Sequence, residues 1–583
     1  MRHFFDKYSG RFLFVIALLA FAALLLQYGF YLTPEIHNLI SYSYVIIFGL
    51  FIYYQFGKIF YSEHRIEYMK SRWFDLILLI LILIQTVIFI IIPSVFTDVA
   101  GYFHVTDLNV FYIIVLQIYI VVSLAIKAVR FGHTIAEFKI QPAKLFLFSF
   151  LLLIFFGTGL LMLPKATTTG NISLVDALFT STSAVCVTGL IVVDTATYFT
   201  QFGQIIILCL FQIGGLGVMT ITTFFAIFFA GGLGIKERVL IGDMIDEEKI
   251  GQISKTLIQI ILLTFGLEAI GAIIIFQGFE GTSLSLNERI FHSIFHSVSA
   301  FCNAGFSTFS ENLYSIHTRF NYTILTTVSF LIIFGGFGFS AFLNVLETAV
   351  SRFKKSRLRR KHLTIQSKIV LFSTIVLIFA GMFFFVGLEN NNTLKDFTLD
   401  QKLLAAFFQS VTTRTAGFNS IPIDKILIPT SLIFIMLMLI GASPGGTGGG
   451  LKTTTVFISI VAFFEFVRGK KKVEIFHRSI PDEIIHRVFT KMVFSFVFLF
   501  STLIILSYIE KHSLLDLIFE QVSAFSTVGL SRGITGQLTD PGKIIISLIM
   551  YIGRVGPLTF MLALTRKIVT ENYDYPSENI STI

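Results

Sequence analysis

The stretch that decides the fold is SAVCVTGL at residues 183–190, because it recurs three more times along the chain. Its counterparts are SAFCNAGF at residues 299–306, TTRTAGFN at residues 412–419 and SAFSTVGL at residues 523–530. The glycines in the four phrases are separated by 116, 112 and 112 residues. A period this regular indicates four copies of one structural unit.

Each phrase follows a short amphipathic run and precedes a long apolar segment. Inside a membrane, non-helical backbone survives only where protein or water covers it. Four such loops around one axis would line a pore with carbonyl oxygens, which is how a selectivity filter replaces the water around K⁺. The alternative is an ancestral duplication that keeps glycine at four tight turns. The candidate filter residues are Cys186, Val187, Thr188, Gly189, Cys302, Asn303, Ala304, Gly305, Arg414, Thr415, Ala416, Gly417, Ser526, Thr527, Val528 and Gly529.

The composition excludes an ordinary soluble domain. Of 583 residues, 55% are hydrophobic and 14% charged, with a mean hydropathy of +0.82. The net charge of +9 could suggest a nucleic-acid partner, but the basic residues sit in short hydrophilic loops such as residues 352–362 and 468–472. That is the positive-inside pattern of cytoplasmic loops, so we expect a membrane protein that binds no nucleic acid.

Apolar windows predict an all-α integral membrane fold with twelve spans and both termini in the cytoplasm. Each repeat is expected to hold a long helix (M1), a short re-entrant pore helix, the filter loop and a second long helix (M2), arranged with fourfold pseudo-symmetry around a K⁺ pore. The spans predicted before the repeats are residues 13–31, 39–56, 73–92 and 108–126. The predicted domains are a four-helix extension at 1–143 and the repeats at 144–240, 241–350, 351–480 and 481–583, the last including the C-terminal tail.

The region from residue 144 to 564 resembles the Trk/Ktr/HKT superfamily of cation transporters, especially the bacterial TrkH and KtrB subunits. The phrases that carry the resemblance are QIGGLGVMT at residues 212–220, GASPGGTGGGLKTTT at 441–455, IGRVGPLT at 552–559 and the filter phrases themselves. The resemblance implies potassium uptake without enzymatic activity. Because family members with serine at the first filter glycine tend to pass Na⁺, Gly189 implies a preference for K⁺.

The resemblance also implies a homodimer in the bacterial inner membrane. Its partner would be a cytosolic, nucleotide-binding regulatory subunit like TrkA or KtrA, docked on the two basic loops. Any nucleotide is therefore expected on that partner. Whether Na⁺ or H⁺ is a coupling ion, and whether the chain passes Na⁺ as well as K⁺, stays open.

Residues 441–455 interrupt the M2 of repeat three with six glycines and a proline, which a stable helix does not tolerate. A phosphate-binding loop would need glycine directly before Lys452 and a preceding strand, whereas Leu451 stands there. The resemblance implies a mobile gating loop instead, with a kinked helix as the alternative. The candidate gating residues are Gly445, Gly446, Gly448, Gly449, Gly450, Lys452 and Arg554.

Two arginines stand in apolar surroundings, where a charge is costly unless it meets water or a partner. Arg554, in the M2 of repeat four, is predicted to point toward the pore axis and oppose the passage of K⁺; a structural charge pair is the alternative. Arg414, three residues before Gly417, is predicted to form a scaffold pair with Glu520 on the neighbouring pore helix.

A rival class is an integral membrane metalloenzyme. Glu288, His292 and His296 recur every fourth residue on one helical face, which is a spacing typical of metal ligands. The face belongs to the second pore helix, however, and no HEXXH motif accompanies it.

Overall fold

The chain is almost entirely helical in the computed structural model, which describes residues 2–61, 80, 142–217, 253–352 and 362–564. Two of the four predicted N-terminal spans are described, as helices α1 (Arg2–Gly29) and α2 (Pro34–Tyr61). Helix α1 packs on the first repeat, where Phe21 stacks on Phe156 at 5.8 Å between ring centroids. The spans predicted at residues 73–92 and 108–126 lie outside the described residues.

The four repeats show the same order of elements. In repeats one and two the helices are α3 (Pro142–Leu161), α4 (Leu174–Val185), α5 (Thr195–Tyr198), α6 (Gln201–Leu216), α7 (Ile253–Gly278), α8 (Leu286–Cys302), α9 (Tyr322–Gly336) and α10 (Phe339–Arg352). In repeats three and four they are α11 (Ile365–Glu389), α12 (Leu399–Thr415), α13 (Ile428–Leu439), α14 (Thr453–Val467), α15 (Asp482–Ile509), α16 (Leu514–Phe525), α17 (Asp540–Val555) and α18 (Pro557–Leu564). A small hairpin of β1 (Glu474–Ile475) and β2 (Arg478–Ser479) joins repeats three and four.

The short helices α4, α8, α12 and α16 begin at the same kind of signal. Each follows a serine or threonine, and an acidic or glutamine residue comes three positions later, where it can complete a capping box. This arrangement satisfies backbone N–H groups that the first turn of a helix leaves unpaired. The caps are Ser173, Ser285, Thr398 and Ser513, and the residues three positions later are Asp176, Glu288, Gln401 and Asp516.

Among the described residues, three helices are long and apolar enough to cross a membrane: Lys255–Gly278, Ile365–Glu389 and Asp482–Ile509. A fourth span is possible if α9 and α10, bent by 103°, are counted together. Large apolar side chains such as Leu152 and Phe383 are more than 70% exposed on outward-facing helices, which is the surface expected against lipid. The protein is thus an all-α membrane protein.

The continuous M2 helices predicted for repeats one, two and four are wrong, because the structure breaks each of them. Helix α6 ends at Leu216, α9 turns sharply into α10, and α17 ends before α18. The breaks fall at Gly217, Gly338 and Gly556, which have φ values of 81°, 88° and 93°. A residue with positive φ ends a right-handed helix, and glycine adopts that conformation without steric cost.

Candidate functional site

The four phrase glycines lie together in a closed ring. A Cβ added to Gly189 would lie 3.1 Å from the Cα of Gly305, and one added to Gly305 would lie 3.4 Å from the Cα of Gly417. The ring closes because Gly417 meets Gly529 at 3.0 Å in the same way, and Gly529 meets Gly189 at 3.0 Å. The repeats therefore follow one another around a common axis in chain order.

A carbonyl group lies at each of the four junctions of the ring. The carbonyl oxygens that an added Cβ would strike belong to the residue just before the neighbouring glycine. No side chain other than hydrogen fits between the glycine and that carbonyl. The four carbonyls are those of Thr188, Ala304, Ala416 and Val528.

The backbone leading to the ring alternates in hand in three of the four repeats. The residue two positions before the glycine is left-handed in repeats one, two and four, with φ of 58° at Val187, 60° at Asn303 and 50° at Thr527. The glycines themselves have φ between 71° and 91°. In repeat three α12 continues to Thr415, so this position is still helical there. The ring is therefore pseudo-symmetric, with repeat three as the exception.

Serine hydroxyls hold the ring segments, which the sequence stage missed. The Oγ atoms of Ser183 and Ser523 each accept a hydrogen bond from the ring glycine's N–H at 3.0 Å, and Ser299 Oγ donates to the carbonyl of Phe306 at 2.8 Å. All three serines stand six residues before their glycine, where repeat three has Val411. That spacing in the repeated phrase was the available signal.

The broken M2 helices pack directly under the ring. Gly214, Gly335 and Gly553 each face the carbonyl of a residue near the end of a short helix, at Val185, Phe301 and Phe525 respectively. A side chain at any of these glycines would collide with that carbonyl, so the glycines allow the close approach of helix and backbone. The Gly-Gly-x-Gly and Gly-Arg-x-Gly sequences were the signal for both the breaks and this packing.

The glycine-rich segment between α13 and α14 lies beneath the ring. The Gly449 N–H donates to Thr527 Oγ1 at 2.7 Å, and an added Cβ on Gly448 would lie 2.9 Å from Thr415. Gly450 is similarly close to Ser526, at 3.0 Å. Three of the predicted gating glycines thus contact residues of two filter phrases.

Backbone hydrogen bonds tie the same segment to the break between α9 and α10. Ser443 N–H donates to the carbonyl of Gly336 at 3.0 Å, Thr447 N–H to that of Gly335 at 3.1 Å, and Phe339 N–H to that of Gly445 at 3.1 Å. Gly446 lies 2.9 Å from the same Gly336 carbonyl when a Cβ is added. The segment is therefore an ordered plug in this structure, held by groups that helix ends leave unpaired.

Arg554 spans the space beneath the ring. Its guanidinium donates to the carbonyl of Thr447 in the glycine-rich segment of repeat three and to that of Gly214 in repeat one; a third contact, to Gly215, is 3.4 Å long. Repeats one and three are opposite each other in the ring, so a side chain from repeat four that reaches both crosses the axis.

Lys452 stays within its own segment, where its Nζ donates to the carbonyl of Gly448 at 2.7 Å. This bond closes the segment on itself at the start of α14. Helix α14 begins at the next residue, Thr453, whose N–H donates to the carbonyl of Ala442 at 3.2 Å. Lys452 is therefore a brace of the plug and contacts no other repeat through its ammonium in this structure.

The scaffold pair predicted between Arg414 and Glu520 is wrong. Glu520 accepts instead from Thr535 of its own repeat. Arg414 Nε has no hydrogen-bond partner among the described residues, and the side chain lines a small cavity with Phe337 and Thr374. The physical reason is the longer α12, which is still helical at Arg414 and directs this side chain toward α9 and α11.

The predicted metal face is occupied by hydrogen bonds. Glu288 caps its own helix with Ser285, while His292 Nδ1 lies 2.6 Å from Thr308 Oγ1 and His296 Nε2 lies 3.0 Å from Ser307 Oγ. Within the described ranges, no three His, Cys, Asp or Glu side chains are grouped to hold a metal ion. These residues brace the loop after the second ring glycine.

A sequence profile described as TrkH, cation transport protein, matches residues 145–574. The chain belongs to this family. The resemblance drawn from the motifs is thereby confirmed. A solved structure of the potassium transporter TrkH from Vibrio parahaemolyticus aligns with a TM-score of 0.59 at 16% identity, covering 84% of this chain and 97% of that one. At that identity the likeness shows the fold.

Several curated relatives are similar over most of their length. The Ktr system potassium uptake protein B of Bacillus subtilis is 37% identical over 446 residues, which is 76% of this chain and 97% of the relative. The protein of the same name from Vibrio alginolyticus is 37% identical over 75% of this chain and 94% of its own. The potassium/sodium uptake protein NtpJ of Enterococcus hirae is 36% identical over 76% and 97%.

Proposed function

We propose that this chain is the pore-forming subunit of a bacterial potassium uptake system in the inner membrane, with both termini cytoplasmic. The observation that carries the proposal is the closed ring of Gly189, Gly305, Gly417 and Gly529. Four M1–pore helix–M2 repeats surround one axis, and the pore runs along it. The names of the relatives from Bacillus and Vibrio support K⁺ as the transported ion.

Selection uses the backbone carbonyls of the segments that lead to the ring. Carbonyl oxygens replace the hydration shell of the ion, and the four short helices add the partial negative charge of their C-terminal ends near the axis. The serine hydroxyls fix the segments, so that the oxygens keep their positions when an ion is present. Glycine is required at the ring because each junction leaves no room for a Cβ.

Flux is controlled by the plug of residues 440–452 and by Arg554. The plug lies under Thr415 and Thr527, and Arg554 fastens it to the opposite repeat. An ion that leaves the ring toward the cytoplasm must therefore displace both. We infer that opening breaks the bonds from Arg554 to the Thr447 and Gly214 carbonyls and lets the glycine-rich plug move aside.

The proposal is tested by K⁺ and Na⁺ uptake into vesicles that contain the purified protein, with Na⁺ and pH gradients imposed separately. Gly189→Ser is expected to admit Na⁺, because a side chain at φ 90° disturbs the adjoining Ala304 carbonyl. Gly170→Ser is the matched control, since Gly170 has φ 78° with no atom within 4 Å of an added Cβ. Unchanged ion discrimination in Gly189→Ser would remove this glycine from the filter.

A second candidate function is the uptake of Na⁺ as well as K⁺. The name of the Enterococcus relative, which includes both ions, favours it. The same vesicle assay separates the two: comparable wild-type uptake of both ions would establish the mixed function. A dependence of K⁺ uptake on an imposed Na⁺ or pH gradient would identify a coupling ion.

We further propose a homodimer that binds a cytosolic nucleotide-binding regulatory subunit. The name "Ktr system" of the relatives supports an assembly of several subunits. In the described part of the proposed docking surface, Lys470 and Phe476 are exposed around the β1–β2 hairpin. Charge reversal at Lys470, Lys471 and Lys472 should weaken copurification of the regulatory subunit, whereas unchanged copurification would place its contact elsewhere.

A further inference from the structure

A buried carboxyl group lies in the M1 of repeat two, away from the ring and the plug. Glu268 is 4% exposed and stands in the interior of the span Lys255–Gly278. Its Oε2 accepts from Gln212 Nε2 at 3.1 Å, and the Cys302 sulfur lies 3.9 Å from Oε1. An ionisable group within a membrane span is costly and usually marks function.

The fold does not need an acid at this position. In every repeat, a pore-helix side chain donates a hydrogen bond to one M1 carbonyl, with lengths between 2.6 and 2.7 Å. These bonds identify the structurally matching M1 residues. They are Ile154, Glu268, Ile378 and Leu499. All four are buried, and only repeat two has a polar side chain there.

Glu268 and its partner connect two repeats. Gln212 belongs to α6 of repeat one, and its Oε1 lies 3.2 Å from the Cys302 sulfur at the end of α8 in repeat two. A Cβ added to Gly215 would lie 2.7 Å from the same sulfur. The last turn of α6 is therefore held from the side by Glu268 and Cys302.

That last turn provides the carbonyls that Arg554 binds. Helix α6 ends at Leu216, so the carbonyls of its final residues have no partner further along an intact helix. Arg554 takes up those of Gly214 and Gly215, two and three residues after Gln212. The contacts thus run without interruption from Glu268 through Gln212 and the end of α6 to Arg554 and the plug.

We propose that Glu268 is a positioning residue of the gate: through Gln212 it fixes the end of α6 and so keeps Arg554 bound across the axis. This inference rests on the gating role given above to Arg554. Glu268 acts through hydrogen bonding, so a glutamine in its place retains an acceptor for the Gln212 amide. An isoleucine, the residue found at the matching positions of repeats one and three, packs in that place but leaves Gln212 unheld.

The test is a double-mutant cycle on K⁺ uptake per folded molecule in reconstituted vesicles. Glu268→Ile is expected to raise uptake about tenfold, and Glu268→Gln to stay within about twofold of the wild type. In an Arg554→Ala background, Glu268→Ile should add nothing, because the anchored group is gone. Leu499→Ile, an apolar exchange at the matching position of repeat four, is the control for altered packing and should leave uptake unchanged.

The outcomes separate the inference from the gate itself. If Arg554→Ala alone leaves uptake unchanged in folded protein, the gating role of Arg554 fails. If Arg554→Ala raises uptake but Glu268→Ile raises it by the same further factor in that background, Glu268 does not act through Arg554. Loss of K⁺/Na⁺ discrimination in Glu268→Ile without faster uptake would also overturn the proposal and assign Glu268 to the support of the Cys302 segment.

Discussion

Replacing Arg554 by alanine should speed K⁺ passage, because the guanidinium crosses the axis beneath the ring. Two unit charges about 4 Å apart interact by about 4 kcal/mol at an effective dielectric near 20. Water in the pore lowers that value, so a barrier of roughly 1.4 to 4 kcal/mol is expected. Since about 1.4 kcal/mol is tenfold in rate, uptake should rise by a factor on the order of 10 to 1000.

The structure also distinguishes charge from bridging. Arg554 reaches the Thr447 and Gly214 carbonyls with separate guanidinium nitrogens, and a lysine ammonium offers a single nitrogen. Arg554→Lys retains the charge but should hold only one side, so its uptake should fall between wild type and alanine. If charge alone matters, lysine will behave like the wild type.

The assay measures expression, thermal stability and initial ⁸⁶Rb⁺ or K⁺ uptake on the same vesicle preparations. Both variants must be compared per folded molecule, because removing a buried hydrogen-bonded cation can destabilise the helix ends that it joins. A destabilised Arg554→Ala protein with no faster uptake per folded molecule would refute the barrier and leave Arg554 a structural residue.

Three further predictions concern the ring, the plug and the broken helices. Gly189→Ser should lower K⁺/Na⁺ discrimination while Gly170→Ser does not, as measured by paired ion uptake. Deleting residues 445–450 should raise basal K⁺ flux and weaken its dependence on the regulatory subunit; a folded deletion with wild-type flux would show that the plug is not a gate. Gly335→Ala should lower stability by about 1–3 kcal/mol, since its Cβ meets the Phe301 carbonyl, whereas Gly387→Ala, with open space around it, should not; equal melting temperatures would contradict the packing.

Local signals account for what the sequence predicted well. The bounds of the first and fourth short helices, Leu174–Val185 and Leu514–Phe525, agree with the structure because a capping serine starts each and a left-handed residue soon follows its end. The second and third short helices begin two residues earlier than predicted and extend one or two residues further. The family, the helical membrane class and the spacing of the glycines were all readable from motifs and hydropathy.

The features that were missed depend on contacts between distant segments. Hydropathy remains high through Gly214 and Gly335, so nothing in the apolar pattern marks the helix breaks, which exist because the pore-helix carbonyls leave no room for a continuous, side-chain-bearing M2. The Arg414–Glu520 pair was inferred from proximity of two pore helices, but the helical register of α12 decides where Arg414 points. Closure of the ring in chain order is likewise a property of the packed repeats.

The most direct test of the carbonyl ring is the location of a bound ion. Crystals of the protein soaked with Rb⁺, an anomalous scatterer that replaces K⁺, should show an anomalous peak on the axis of the ring. The account predicts that this peak lies among the backbone oxygens of the segments ending at Gly189, Gly305, Gly417 and Gly529. An ordered Rb⁺ elsewhere in the membrane region, with none at the ring, would contradict it.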